Sequence, residues 1–411
     1  MLDAKKNKGT LQPYLGNSNV RWGSFELERL AEMRFEPQEE ERYGLAEGDL
    51  VVCEGGEPGR CAIWSGSVPG MKIQKALHRI RPKSTFNNYY LFYWFQLAAK
   101  TGLLEPYFTG TTIKHLTGKA LAALEVPQPP VETQEAMVDL LKHLDARIAL
   151  LRQTNATLES IAQALFKSWF IDFDPVRAKA EGREPEGMDF ATAALFPAEF
   201  EESAQGLIPK EWTLRSLDSF ATYLNGLAMQ KFPPDSEDEY LPVIKIAQLR
   251  AGNTNGSDRA STSLKPEYIV NDGDVLFSWS GSLEVEFWCG GEGALNQHLF
   301  KVTSVEVPKW FYYLANRHFL PAFREIAAHK ATTMGHIQRK HLTEARLAVP
   351  PRPLMALLGQ VVEPLLERRI ANSLQARELA SLRDTLLPRF TSGKLRLPEA
   401  VEQVEAEGVL A

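Results

Sequence analysis

The chain has 411 residues, 44% hydrophobic and 24% charged, with a formal net charge of −6; this profile predicts two to three folded domains and excludes an intrinsically disordered chain. No apolar run approaches the ~18 residues of a membrane span, and the opening "MLDAKKNKGT" has no apolar segment of a secretory signal. The three cysteines, Cys53, Cys61 and Cys289, form no CxxC pair, which predicts a reducing, cytoplasmic setting without disulfides or structural zinc.

Residues 1–130 read as a first globular domain. Short β-rich runs such as "DLVVCE" alternate with glycine turns, and one aromatic helix follows, "NNYYLFYWFQLAAK". Such a stripe serves either a core or base stacking, and helical spacing favours the core. Residues 60–119 carry nine Lys/Arg against one acid, Glu105, a local charge of +8. A local basic field matters more than the net charge when the partner is a polyanion.

Residues 131–172 read as one long helix. Apolar positions at spacings of four and three include Leu141, Ile148, Leu151, Leu158, Leu165 and Trp169, with Asn155 as the polar member. That is the seam of a coiled coil, and a lone Asn there selects register. A helix over 131–170 would be roughly 60 Å long. Phe166, Phe170 and Phe173 form a second stripe beside the seam. They either pack against the chain's own domain or form a docking surface for a partner. Residues 173–205 read as a linker.

Residues 206–351 read as a second globular domain, with "DVLFSWS", "HLFKVT" and the aromatic helix "KWFYYLANRHFLPAFREIA". Residues 305–346 hold seven Lys/Arg, three acids and four histidines. Residues 352–392 read as a second long helix, with Pro364 expected to kink it and Pro388 to stop it. Residues 393–411 form a tail.

The two halves repeat. "GDLVVCEGG" at Gly48 returns as "GDVLFSWSG" at Gly273, "TTIKHLTGKAL" at Thr111 as "TTMGHIQRKHL" at Thr332, and "LESIAQALF" at Leu158 as "LASLRDTLL" at Leu379. So long a period signals a duplicated unit, not a solenoid. The expected fold class is α+β: two α/β domains related by a pseudo-two-fold axis and joined by two long antiparallel coiled-coil helices. The second domain opens with "GLIPKEWTLRSL" at Gly206, 67 residues before Gly273, whereas only 47 residues precede Gly48. The expectation is that about twenty residues of the first domain are missing, with a first strand or helix among them.

With these segments in view, the chain resembles the specificity (S) subunit of a type I restriction–modification enzyme. "NATLESIAQALFKSWFIDFDPVRAKAEG" is similar to that family's central conserved region, "ELASLRDTLLPRFTSGKLRL" to its distal one, and "FPAEFEESAQGLIPKEW" to the entry of its second target-recognition domain. The resemblance implies a non-catalytic subunit whose two recognition domains each read half of a bipartite site in double-stranded DNA. It implies helices that space the halves and dock methyltransferase (M) subunits, with Phe166, Phe170 and Phe173 as the candidate contact. S-adenosylmethionine, ATP and Mg would belong to the M and restriction (R) subunits, and none to this chain. In agreement, no (N/D)PP(Y/F), GxGxxG or GxxxxGK[ST] motif occurs, and His336 and His341 stand five apart, unsuited to zinc. The rival is a non-enzymatic coiled-coil scaffold joining two protein-binding domains, which the basic segments disfavour.

Phosphates are held by Lys, Arg and hydroxyls, and base edges are read by Arg, Asn, Gln and Lys. The DNA-binding candidates are therefore Thr111, Thr112, Lys114 and His115 in the first domain and Thr332, Thr333, His336, Gln338 and Arg339 in the second. Lys72, Lys75, Asn296 and Gln297 come next. The competing role for the threonines and histidines is to cap the helix that follows.

Overall fold

A computed structural model describes residues 8–329 and 335–391 of the chain. In chain order the main elements are β1 (Thr10–Leu15), β2 (Ala31–Phe35), β3 (Leu50–Cys53), β4 (Cys61–Ile63), β5 (Lys72–Ile73), β6 (Leu77–Ile80), α1 (Asn88–Lys100), α2 (Gly118–Ala122) and α3 (Val131–Lys167). There follow α4 (Asp174–Ala180), β7 (Thr213–Ser216), α5 (Leu217–Phe220), β8 (Thr222–Asn225), β9 (Leu241–Ile244), β10 (Arg259–Ala260), β11 (Ile269–Val270) and β12 (Val275–Ser278). The chain continues through β13 (Val285–Phe287), β14 (Gly293–Leu295), β15 (Leu299–Thr303), α6 (Lys309–His329), α7 (Arg339–Glu344), β16 (Arg346–Val349) and α8 (Arg352–Thr391). Two compact units result: Met1–Ile148 with Leu379–Ala411, and Ala149–Glu378. Each unit holds one end of α3 and the opposite end of α8.

Unit 1 has two three-stranded sheets, ordered β2-β1-β5 and β4-β3-β6, and a two-stranded hairpin of Val20–Arg21 with Ser24–Phe25. β1 runs antiparallel to β2 and parallel to β5, where Tyr14 faces Lys72 and Leu15 faces Ile73. The "DLVVCE" run becomes β3, buried at all four positions, with Val51 and Cys53 in one core with Leu15, Val20, Phe35 and Trp64. Helix α1 starts at an Asn87 cap and buries Tyr90, Leu91, Phe92, Tyr93, Trp94 and Phe95 in succession. A helix apolar on every side must be a core helix, so its aromatics are packing groups. On its far side the helices α3 and α8 meet, with Asp145 paired to Arg383 at 2.7 Å. Tyr93 Oη donates to Asp145 at 2.8 Å; burial, then that carboxylate, holds its phenol far above the ordinary tyrosine range.

Unit 2 repeats the plan with additions. β9 pairs antiparallel with β10 and parallel with β14, as β1 does with β2 and β5. β12, β13 and β15 repeat β3, β4 and β6, but β8 adds a fourth strand on the outer edge of β15. β7 pairs with β16. The segment β7–α5–β8 has no counterpart among the described residues of unit 1.

The end of α3 determines the core of unit 2. Its last turn widens to a π-turn at Ser168–Asp172, and Phe173 takes a left-handed φ of 55°. That conformation costs on the order of 1–3 kcal/mol for a non-glycine residue. It is offset by packing: Phe173 lies edge-on to Trp212 at 5.9 Å and to Phe200 at 6.2 Å. Phe170 lies 5.6 Å from Trp212 and 5.3 Å from Phe311, and Phe166 lies 5.6 Å from Phe311. Phe166 and Phe170 are 2% and 1% exposed. The expected docking stripe is therefore corrected. Phe166, Phe170 and Phe173 are core residues, because the second domain's own aromatic helix and "KEW" opener cover them.

Of the seam positions, Leu141, Ile148, Leu151 and Trp169 are buried, while Leu158 and Leu165 are partly covered. Within unit 2 the helices run antiparallel, since Asn155 meets Asn372 and Ser373 while Glu159 meets Arg369. Asn155 accepts from Asn372 at 3.0 Å and donates to the Ser373 hydroxyl at 2.9 Å. Asn155→Leu alone leaves the buried Asn372 amide without this partner and is expected to cost ~1–3 kcal/mol. The double change with Asn372→Leu is expected to regain most of it, at the expense of a unique register. Urea unfolding of the three variants measures both. α8 runs on past Pro364 and, contrary to the expected stop, through Pro388 to Thr391; packing of the flanking turns outweighs the backbone bond the proline removes.

Candidate nucleic-acid interface

In unit 2 three loops and a strand end converge. The β12–β13 turn carries Trp279 and Ser280, the β14–β15 turn carries Asn296, Gln297 and His298, and Gly335–Gln338 lead into α7. Ser280 forms a bridge with His336, Ile337 N donates to Trp279 O at 3.0 Å, and Gly281 N donates to Gly335 O at 2.8 Å. Trp279 Nε1 donates to Asn225 Oδ1, at the end of β8, at 2.9 Å. Its ring lies 5.7 Å from that of His298, whose Nδ1 is 3.0 Å from Ser280 Oγ. Gln297 Nε2 is 3.4 Å from His298 Nε2. An indole, an imidazole, two amides and a hydroxyl thus share one partly exposed patch. Those groups both stack on bases and exchange hydrogen bonds with base edges.

Arg339 borders the patch. Its guanidinium lies 5.6 Å over the Phe300 ring and donates to Tyr223 O at 3.1 Å. Gln338 is exposed, and its backbone N–H bonds His341 Nδ1 at the start of α7. Thr332 and Thr333 lie outside the described residues. Asn296 is corrected: at 4% exposure its Oδ1 accepts from His298 N, so it shapes the turn and leaves Gln297 and His298 facing outward.

Unit 1 builds the related feature with different chemistry. Thr109 and His115 exchange two backbone bonds of 2.9 and 2.8 Å, closing a loop that exposes Thr111, Thr112 and Lys114. Gly110 has φ 92°, and a Cβ there would meet Ile113 O at 2.3 Å, so the loop requires glycine. Leu116 N donates to Glu54 O at 2.7 Å, the equivalent of Ile337 on Trp279. The side chain of Thr117 caps α2, so capping does not occupy Thr111 and Thr112. Lys114 Nζ stands 5.7 Å over the Phe108 ring. Lys75 is exposed on the β5–β6 turn, where Gln297 stands in unit 2. Lys72 is corrected: it is 1% exposed, with Nζ 2.9 Å from Glu40 and bonded to Gly70 O, and it sits between β1 and a backbone bridge to Gly44.

Trp279, His298 and Asn225 were not among the residues expected from sequence. The "SWSG"/"CEGG" repeat placed Trp279 in a strand, and only its pairing with Asn225, 54 positions away, brings it to the patch. Among the described residues, no group of three His, Cys, Asp or Glu is placed to hold a metal, and no helix is long and apolar enough to cross a membrane.

A duplicated α+β domain on paired helices, bearing hydroxyl, amide, aromatic and basic loops, defines a nucleic-acid-reading module. The model of the type I restriction modification DNA specificity domain matches residues 4–160 and 209–354, and the chain belongs to that family. It is 26% identical over 345 residues to the MjaIX specificity subunit of Methanocaldococcus jannaschii, spanning 80% of this chain and 74% of that one. It is 23% identical over 329 residues to the HindI specificity subunit of Haemophilus influenzae, spanning 69% and 72%. The fold is similar to the crystal structure of a type I restriction–modification S subunit from M. genitalium, at TM-score 0.50 and 14% identity over 95% of this chain and 91% of that one. The chain is a DNA specificity subunit of a type I restriction–modification system, a subunit without catalysis of its own.

Proposed function

We propose that each unit reads one half of a bipartite duplex site, that α3 and α8 set the separation of the halves, and that the helices dock methyltransferase subunits. The observation carrying this is the same loop arrangement built twice on one topology with unlike side chains: Thr111, Thr112, Lys114, His115 and Lys75 in unit 1, and Trp279, Gln297, His298, His336, Gln338 and Arg339 in unit 2. Like scaffolds with unlike loops suit two different half-sequences. With the phenylalanine stripe in the core, docking falls to the exposed apolar positions of the helices, such as Ile161, Leu357 and Val361. S-adenosylmethionine, ATP and Mg belong to the methyltransferase and restriction subunits in this reading, and the complex works in the cytoplasm.

The test is methylome sequencing of a host carrying the assembled system with the natural chain, Trp279→Ala or Lys114→Ala. Trp279→Ala is expected to weaken binding by ~1–3 kcal/mol through lost stacking and to relax one half-site. Lys114→Ala is expected to reduce the salt dependence of binding by about one counterion if it holds a phosphate. Methylation that keeps both half-sites unchanged in both variants overturns the assignment.

A further inference from the structure

Unit 1 presents an apolar side chain where its candidate interface is otherwise polar. Thr109 and His115 exchange backbone bonds of 2.9 and 2.8 Å, and the residues between them, Gly110 to Lys114, are all exposed. The root of this loop is fixed. Leu116 N donates to Glu54 O at 2.7 Å on the β3–β4 turn, and a Cβ on Gly55 of that turn would come within 3.0 Å of His115 Nδ1. Beyond the root the chain bends through Thr111, Thr112 and Ile113. Ile113 is 64% exposed, more than any other large hydrophobic residue of unit 1 among those described. A lone exposed isoleucine is ordinary on a protein surface. This one stands between two hydroxyls and a cation, in a segment of local charge +8. The repeat "TTMGH" at Thr332 keeps an apolar residue, Met334, at the same place in sequence.

We propose that Ile113 reads the 5-methyl group of a thymine in the major groove of unit 1's half-site. The proposal rests on the reading above, that this loop faces duplex DNA. Of the groups that base pairs display in the grooves, the thymine methyl is the apolar one, and it marks a T·A pair from the others. The loop is two chain segments wide where Thr109 pairs with His115. The major groove, ~12 Å across, admits such a ribbon, whereas the minor groove, ~6 Å across, does not. Thr111, Thr112 and Lys114 supply hydroxyls and a cation that hold phosphates and fix the loop's register on the duplex. They carry no sequence information by those contacts, so reading falls to the side chain between them. A β-branched residue is stiff at χ1, which lowers the ordering cost of placing its methyls against a base.

The test uses the chain assembled with its methyltransferase subunits and a duplex carrying the site that methylome sequencing defines. Each thymine of that duplex is replaced in turn by uracil, which lacks only the 5-methyl group. In one half-site a single replacement is expected to weaken binding on the order of fourfold, the contribution of one buried methyl. Ile113→Ala is expected to bind the natural duplex more weakly by the same factor and to lose the distinction between thymine and uracil there. Its thermal unfolding is expected to be unchanged, because the side chain is exposed. Ile113→Val keeps a branched apolar surface and is expected to retain part of the distinction. A thymine–uracil difference that survives in Ile113→Ala, or none at any position, overturns the proposal, while continued sequence-specific binding leaves the half-site reading standing. A rise in 2-aminopurine fluorescence at a base step, lost in Ile113→Ala, also overturns it, because the side chain would then be a wedge that unstacks bases. Equal binding of the natural complex to the defined site and to random duplex overturns both.

Discussion

Phe170→Asp is expected to abolish the folding of unit 2. Phe170 has Phe166, Trp212, Trp310 and Phe311 within 5.0 to 5.9 Å, centroid to centroid. Removing such a ring costs ~3–5 kcal/mol, and burying a carboxylate among aromatics adds several more. Together they approach the whole ~5–15 kcal/mol stability of a domain. The check is near-ultraviolet circular dichroism and thermal unfolding, with loss of the aromatic signal and of one cooperative transition expected. A variant that keeps both and loses only methyltransferase binding would restore the stripe as a docking surface.

Glu159→Leu is expected to destabilise unit 2 by ~3–5 kcal/mol, because it leaves two largely covered guanidiniums with one carboxylate, Glu286, and so one charge uncompensated. Glu159 accepts from Tyr313 Oη at 2.9 and 3.0 Å, and pairs with Arg317 at 3.1 Å and Arg369 at 3.2 Å. Glu286 pairs with the same two arginines. The cluster joins α3, α6, α8 and β13. Burial opposes the charge on Arg369, but Tyr313, Glu286 and Glu159 outweigh it, and its pKa lies above the ordinary arginine value. Charge kept in the core at such cost is best read as a device for specificity: the repeat register puts Ala380, Phe92 and Ile148 where unit 2 has Glu159, Tyr313 and Arg369. Urea unfolding of Glu159→Leu, and of Glu159→Leu combined with Arg317→Met, Arg369→Met and Glu286→Leu, separates the terms. The quadruple variant is expected to recover most of the loss; no recovery would mean that the cluster contributes net stability.

Much of the architecture was legible because its signals are local. The heptad spacing of Leu141, Ile148 and Leu151, the "GDLVVCE" and "GDVLFSWS" strands and the two aromatic helices are written in short-range periodicity, which hydrophobic burial enforces directly. The duplication was legible by comparison of one half with the other. The loop at Thr111 was visible as a candidate too, since "TTIKH" joins hydroxyl to basic residues, whereas the need for glycine at Gly110 was not.

The rest depends on contacts between distant residues. Phe166, Phe170 and Phe173 formed an unexplained stripe until Trp212 and Phe311 closed over them. Lys72 read as a cation for DNA until Glu40 and the segment bridged at Gly44 covered it. Trp279, His298 and Asn225 carried no local mark, because their patch exists only where three loops and the added strand β8 meet. The sequence by itself determined the repeated elements, their order and the apolar faces that must be covered. Only the tertiary structure decided which group covers each face, because burial is a property of the partner brought across the fold and not of the side chain's own neighbours in the chain.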